Sequence, residues 1–204
     1  MMLHWSPRSP FVRKVMIAAH ELGLADRLNL RRTVVQMAQP NPELMPDNPL
    51  SRIPTLVLDD GAALYDSGVI CAFLDTLHEG RKLFPSKAPA RWTALRRHAL
   101  GDGMLEVLIL WRNERERPEE ARSQKHIAAF QAKIGKALDL LERETADLAA
   151  TPIDISHIAV ASALSYLDFR FADHDWRTER PQLAAWYAAF SARPSMRATE
   201  PRLD

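Results

Sequence analysis

Over the first eighty positions, apolar residues follow two alternating spacings. Short runs of strand length occur at the start ("MMLHW"), from Leu28 ("LNLRRTVVQ") and from Pro54 ("PTLVLDDGAALY"). The last of these is divided by Asp60-Gly61, a hairpin turn signal. Between the runs the period changes to that of a helix. Phe11, Val15, Ala18, Ala19 and Leu22 fall on one face and Gly23 supplies the stop. Val69, Ile70, Phe73, Leu74 and Leu77 form a second such face beginning at Ser67. The order is β-α-β-loop-β-β-α, which predicts a small mixed sheet with helices packed on it.

The segment "HEGRKLFPSKAPAR", with Gly80, Pro85 and Pro89, breaks the pattern and marks a linker. It predicts a first domain over 1–79 and a second over 90–204. Only helical periods follow. One long segment runs from about Ala90 to Arg117, where Gly101 and Gly103 predict an interruption, and it ends at Pro118. A second carries a stripe at Ile127, Phe130, Ile134, Leu138 and Leu141. A third starts near Asp154 and is apolar nearly all round ("IAVASALSYLDF"), which predicts a central helix. A fourth follows Pro181.

Composition adds exclusions. The 27 basic and 26 acidic residues leave a net charge of +1, so no global field attracts nucleic acid or a lipid surface. No apolar run approaches the roughly 20 residues that span a bilayer. The first residues contain no long apolar segment of the signal-peptide kind. One cysteine, Cys71, cannot form an internal disulfide. A cytoplasmic protein is the expectation. The seven histidines show no metal-ligand spacing, and no metal site is expected. Cys71 lies within an apolar helical pattern and reads as a buried, inert thiol.

Three short stretches remain. In "SPRSPF", Pro10 suits the first position of a helix and Ser9 the N-cap before it. Local pattern makes Ser9 a cap, yet a helix start also favours an anion. In "NPLSRIPTLVL", Pro54 opens a strand. If the Ile53–Pro54 bond is cis, the backbone groups of Ile53 face outward and are open to an extended peptide. In "LYDSGVI", Asp66 and Ser67 fall at a helix start. They fit either a cap or a grip on a zwitterion, Asp66 for its ammonium and Ser67 with the backbone for its carboxylate.

In this order and spacing, "SPRSPFVRKV", "NPLSRIPTLVLDDG" and "LYDSGVICAFLD", followed by an all-helical half, resemble the glutathione S-transferase family. "ALGDGMLEVLILWRNERERP", "IAVASALSYLDFRF" and "RPQLAAWYAAFSARPSMRATEP" are most similar to its bacterial YibF-like branch. The resemblance implies a thioredoxin-like α/β N-terminal domain, an all-α C-terminal domain, a homodimer, glutathione as cosubstrate and a small electrophile as second substrate. By position, Ser9 corresponds to the residue facing the glutathione sulfur. Ile53 matches the residue whose backbone pairs with the cysteinyl part, ahead of the family's cis-proline, here Pro54. Asp66 and Ser67 correspond to the pair holding the γ-glutamyl end, and Arg52 to a residue reaching the glycyl carboxylate. Phe11, Met104, Leu108, Trp111, Arg112 and Arg115 are the candidates for the electrophile pocket, with core packing the alternative for Met104, Leu108 and Trp111. The mixed-sign run "RNERERPEEAR" otherwise reads as a solvated helix end.

There are departures from the family pattern. Related branches carry cysteine before the Pro-Phe pair. Where an aspartate is usual, this chain has His157, which predicts a weaker cap on the helix beginning near Asp154. Gly68 is a poor helix former in a first turn, and nothing in the pattern explains it. A serine is nonetheless sufficient for thiol activation. Lowering a thiol pKa from about 8.5 by two units needs about 2.7 kcal/mol. A hydrogen bond to a charged group contributes roughly 1.5–3 kcal/mol and a helix N-terminus roughly 0.3–1 kcal/mol. The competing possibilities are thiol-disulfide exchange, disfavoured by serine at position 9, and a glutathione- or partner-binding protein without turnover.

Overall fold

The computed structural model describes residues 1–203. Pro10 opens the first helix, α1 (Pro10–Glu21), and Ser9 caps it by accepting a hydrogen bond from the Val12 N–H at 3.3 Å. Gly23 takes a positive φ of 68° after the last turn, where a side chain would be strained. Strand β1 (Met2–Trp5) precedes α1 and β2 (Asn29–Arg32) follows it, so the two strands run parallel. β3 (Thr55–Val57) is antiparallel to β1, and β4 (Ala63–Leu64) is antiparallel to β3. The sheet order is β2-β1-β3-β4.

Two strands are shorter than the pattern predicts. β2 is an exposed edge strand paired only with β1, and it ends at Arg32 where β1 ends at Trp5. The hairpin turn is wider than the two residues predicted. Leu58 N–H bonds to the Ala62 carbonyl, and Gly61 between them takes a φ of 85°. α2 (Ser67–Leu74) then packs beside α1, burying Ile70, Cys71 and Leu74.

The chain forms two compact units, Met1–Ala88 together with the segment from Pro194, and Pro89–Arg193. The sequence pattern placed that last segment in the helical domain. Polar contacts fix it to α1 instead. Arg13 donates to the Met196 carbonyl at 3.2 Å, and Glu21 pairs with the Ser195 hydroxyl at 2.5 Å, both through α7 (Pro194–Ala198).

The second unit contains α3 (Ala90–Arg115), α4 (Gln124–Ala150), α5 (Ile155–Arg170) and α6 (Pro181–Ser191). The interruption expected at Gly101 and Gly103 is absent, and α3 is continuous. Gly101 is a packing residue. A Cβ there would lie 2.7 Å from the carbonyl carbon of Ala159 and 2.9 Å from its Cβ, so only glycine lets α3 approach α5 this closely. Gly103 has nothing within 4 Å of such a Cβ. α5 is buried from Ile155 to Leu167, in agreement with its nearly uniform apolar pattern.

The cap of α5 overturns the expectation attached to His157. Asp154 accepts from the Ser156 N–H at 2.8 Å and the Ser156 hydroxyl at 2.5 Å. His157 completes a capping box, its Nδ1 3.2 Å from the Asp154 N–H nitrogen and 2.9 Å from Asp154 Oδ1. Its Nε2 lies 2.9 Å from the Leu148 carbonyl, tying the end of α4 to the start of α5. The imidazole thus joins the cap residue to the end of α4. Burial raises the Asp154 carboxyl, but hydrogen bonds from His157 and Ser156 outweigh it and hold the pKa below the ordinary value.

Two predictions follow from this packing. Gly101→Ala is expected to destabilise the protein by about 1–3 kcal/mol through overpacking. Gly103→Ala should stabilise it by up to about 1 kcal/mol, the helix-propensity difference. Urea denaturation of both variants separates a packing glycine from a tolerated one, and equal effects would refute the distinction. For Asp154→Ala, a loss of about 1–2 kcal/mol is expected at pH 7. Because the folded pKa of Asp154 is depressed, its contribution is complete above the unfolded value of about 3.9 and is lost as the pH falls through the folded value. The gap between wild type and variant, measured by denaturation at successive pH values, should therefore narrow below about pH 4. A gap that stays constant would remove the carboxylate from the cap.

Candidate functional site

The strand directions bring three chain segments to one end of the sheet. β1 leaves the sheet at Trp5, and its partner β3 enters at Thr55, paired with His4. β4 leaves at Leu64, which pairs with Leu56 near that same entry. Residues 6–9, 51–54 and 65–67 therefore lie at a common edge, the first and last opening helices α1 and α2. The candidate residues Ser9, Arg52, Ile53, Pro54, Asp66 and Ser67 all belong to these segments.

The half-buried Ser9 uses its oxygen to accept from Val12 N–H, which leaves its hydroxyl hydrogen available to donate. Capping and donation to a ligand are compatible in one hydroxyl. Ser6, by contrast, is buried; its Oγ is 3.4 Å from the Arg8 nitrogen and its carbonyl accepts from Ser9 N–H. The Ile53–Pro54 bond is cis, as is Tyr65–Asp66. Among the described residues, neither the N–H nor the carbonyl of Ile53 makes a hydrogen bond. Buried backbone groups are nearly always paired, so this pair at the end of the sheet suits an extended chain laid alongside it.

Asp66 is exposed and caps α2, with Oδ1 2.9 Å from the Gly68 nitrogen and 3.4 Å from the Val69 nitrogen. Its Oδ2 bonds to none of the described residues. The cap also gives Gly68 a local role, since its N–H makes the shorter of these two bonds. Ser67 is buried at the first helical position, and its hydroxyl has no partner among the described residues. The exposed Arg52 guanidinium likewise makes no ion pair among them.

Several positioning residues were not identified from sequence. Buried Asn48 donates to the Arg52 carbonyl at 3.1 Å and to Thr55 Oγ1 at 3.0 Å, and accepts from Leu50 N–H at 3.0 Å. Thr55 Oγ1 itself donates to the Arg52 carbonyl at 2.8 Å. Together they hold the loop that presents Ile53. An asparagine ahead of a proline is a turn signal that marks this loop. Buried His4 lies 2.8 Å from Thr33 Oγ1 and 2.9 Å from Asp47 Oδ2 through its two ring nitrogens, anchoring the long 33–48 connection to β1. A polar residue inside a short apolar strand was the signal for it.

Phe11 is half-buried on α1 in the first unit, with Lys14 Nζ 5.9 Å from its ring centroid. The other pocket candidates lie in the second unit. Met104, Leu108 and Trp111 are buried there, and Trp111 packs on Phe171 with centroids 4.3 Å apart. Arg115 makes a two-pronged pair with Asp173, at 3.2 and 3.1 Å. Arg112 donates to the Tyr166 hydroxyl at 3.3 Å.

Residues 8–77 match the glutathione S-transferase N-terminal domain, and residues 124–189 match the glutathione S-transferase C-terminal domain. A glutathione transferase family member from Pseudomonas fluorescens Pf-5, solved with bound glutathione, is 45% identical with a TM-score of 0.96, and 99% of each chain is covered. A structure from the same organism with bound S-(propanoic acid)-glutathione is 43% identical, TM-score 0.91, covering 100% of both chains. The GST-like protein YibF of Escherichia coli K12 is 28% identical over 98% of each chain. With both domain families matched and whole-chain similarity at this level, the chain belongs to the glutathione S-transferase family.

Proposed function

We propose that this protein binds glutathione at the edge formed by residues 6–9, 51–54 and 65–67 and joins the intact glutathione, through its sulfur, to a small electrophile. The observation that carries this reading is the set of unmet groups at that edge: the hydroxyl hydrogen of Ser9, the backbone of Ile53, Asp66 Oδ2 and the hydroxyl of Ser67. They match the needs of a zwitterionic peptide thiol. Asp66 and Ser67 take the γ-glutamyl ammonium and carboxylate, Ile53 pairs with the cysteinyl backbone, and Arg52 reaches the glycyl carboxylate. Ser9 then donates to the sulfur at the N-terminus of α1, which favours the thiolate. The thiol proton passes to solvent, the thiolate forms a bond to the electrophilic carbon, and the bond from that carbon to its leaving group breaks, the leaving group departing with the electron pair. A similar protein bound to a glutathione derivative substituted on sulfur supports thioether formation as the class of reaction. The one cysteine, Cys71, is buried in α2, which favours transfer over a mixed-disulfide cycle. The homodimer belongs to the same proposal.

Ser9→Ala tests it. The variant removes the donor to sulfur and the cap, the latter at a cost of about 1 kcal/mol in stability. The pKa seen in the kcat/KM profile for conjugation should rise by roughly one to two units, with activity at pH 7 falling about ten- to a hundredfold and much of it recovered at high pH. Ser6→Ala should leave the pH profile in place. If Ser6→Ala abolishes activity while Ser9→Ala keeps the wild-type profile, Ser9 is a helix cap and no more.

A further inference from the structure

Backbone conformation singles out one residue of the loop that presents Ile53. Ser51 has a φ of 51°, whereas the other positive φ values among the described residues, at Gly23 and Gly61, belong to glycine. A side chain in the left-handed region crowds its own backbone, and glycine avoids that crowding. Such a conformation persists only where the surroundings hold it. Two hydrogen bonds hold the half-buried Ser51. Its N–H donates to the Asn48 carbonyl at 2.9 Å and closes the turn. Its Oγ accepts from the Asn41 N–H at 2.7 Å, ten residues back. The next residue is fixed as well, since the Arg52 carbonyl accepts from Asn48 and Thr55.

Asn41 is a firm anchor for that hydroxyl bond. Its carbonyl accepts from the Leu44 and Met45 N–H groups, both at 3.1 Å. Its Oδ1 accepts from Glu43 N–H at 2.9 Å, and its Nδ2 donates to the Val34 carbonyl at 2.9 Å. With its own N–H on Ser51, every polar group of Asn41 is engaged. A glycine at position 51 would take the same φ without crowding, but it could not make this bond. The serine therefore carries local strain and, in return, links the 33–48 connection to the loop ahead of β3. Ile53 follows two residues later, its N–H and carbonyl unpaired among the described residues. The direction in which the chain leaves Ser51 sets where those two groups point.

We propose that Ser51 is a positioning residue for glutathione: its hydroxyl, bonded to Asn41, holds the left-handed turn that aims the Ile53 backbone at the cysteinyl part of the ligand. The assignment rests on the glutathione reading above. Stability and affinity, measured on the same two variants, test it. Ser51→Ala keeps the crowding and loses the bond, so it should unfold at a lower urea concentration than the wild type. Ser51→Gly loses both, and its midpoint should lie above that of Ser51→Ala. Affinity is expected to take a different course. Calorimetry at pH 7 should show both variants binding glutathione about three- to tenfold more weakly than the wild type, the effect of one hydrogen bond, with no recovery in Ser51→Gly. A residue that served the fold alone would regain affinity as it regained stability. Wild-type affinity in either variant, or a Ser51→Gly midpoint no higher than that of Ser51→Ala, overturns the proposal. If Ser51→Ala does not fold, the affinity of Ser51→Gly decides alone. In each of these cases glutathione binding by the wild type still stands. A wild-type chain that binds no glutathione overturns that reading and this assignment together.

Discussion

Backbone pairing runs out at the end of the sheet, and the candidate site is built around that shortfall. β3 begins at Thr55, the cis Ile53–Pro54 bond lies just ahead of it, and the N–H and carbonyl of Ile53 are left without a partner among the described residues. A backbone pair of this kind normally finds a strand, a side chain or water. Here the neighbouring groups are committed elsewhere. The Arg52 carbonyl is taken by both Asn48 and Thr55, which fixes the loop while leaving Ile53 open. The strand directions place the helix starts at Ser9 and Asp66 at the same edge, and each supplies a side chain that caps its helix with one atom and keeps another available. In the proposed function, capping and ligand recognition share the same side chains.

In the helical unit, close packing plays the corresponding part. Gly101 admits the backbone of Ala159, so α5 lies against α3 with its length buried. That contact and the Asp154–His157 box fix the start of α5. Near its other end stand Tyr166 and Arg170, with Arg112 reaching Tyr166 from α3. Arg170 flanks Tyr166 from the same helix, and it is the α3–α5 pairing that brings Arg112 to that phenol.

Much of this was legible in the order of residues. The period change between strands and helices located α1, α2 and the hairpin, and the uniform apolar pattern of α5 predicted its burial. What escaped depends on contacts between distant residues. Gly101 looks like a helix interruption until Ala159 lies against it. His157 looks like a poor cap until the Leu148 carbonyl reaches its second nitrogen. The segment from Pro194 reads as one more helix, and only Arg13 and Glu21 show which unit holds it. Ser9, Ile53, Asp66 and Ser67 are proposed as site residues because local turn and cap signals coincide with the family motifs. Asn48 and His4 were not, because their role is to hold a loop in place.

The most direct measurement of the central claim is the ionisation of glutathione bound to the wild-type protein, followed by thiolate absorbance in the ultraviolet as the pH is raised. If the edge at Ser9 binds and activates the thiol, the bound form should titrate about two units below the free thiol value of about 8.5. A bound thiol that titrates at the free value, or a protein that binds no glutathione at millimolar concentration, would contradict the account.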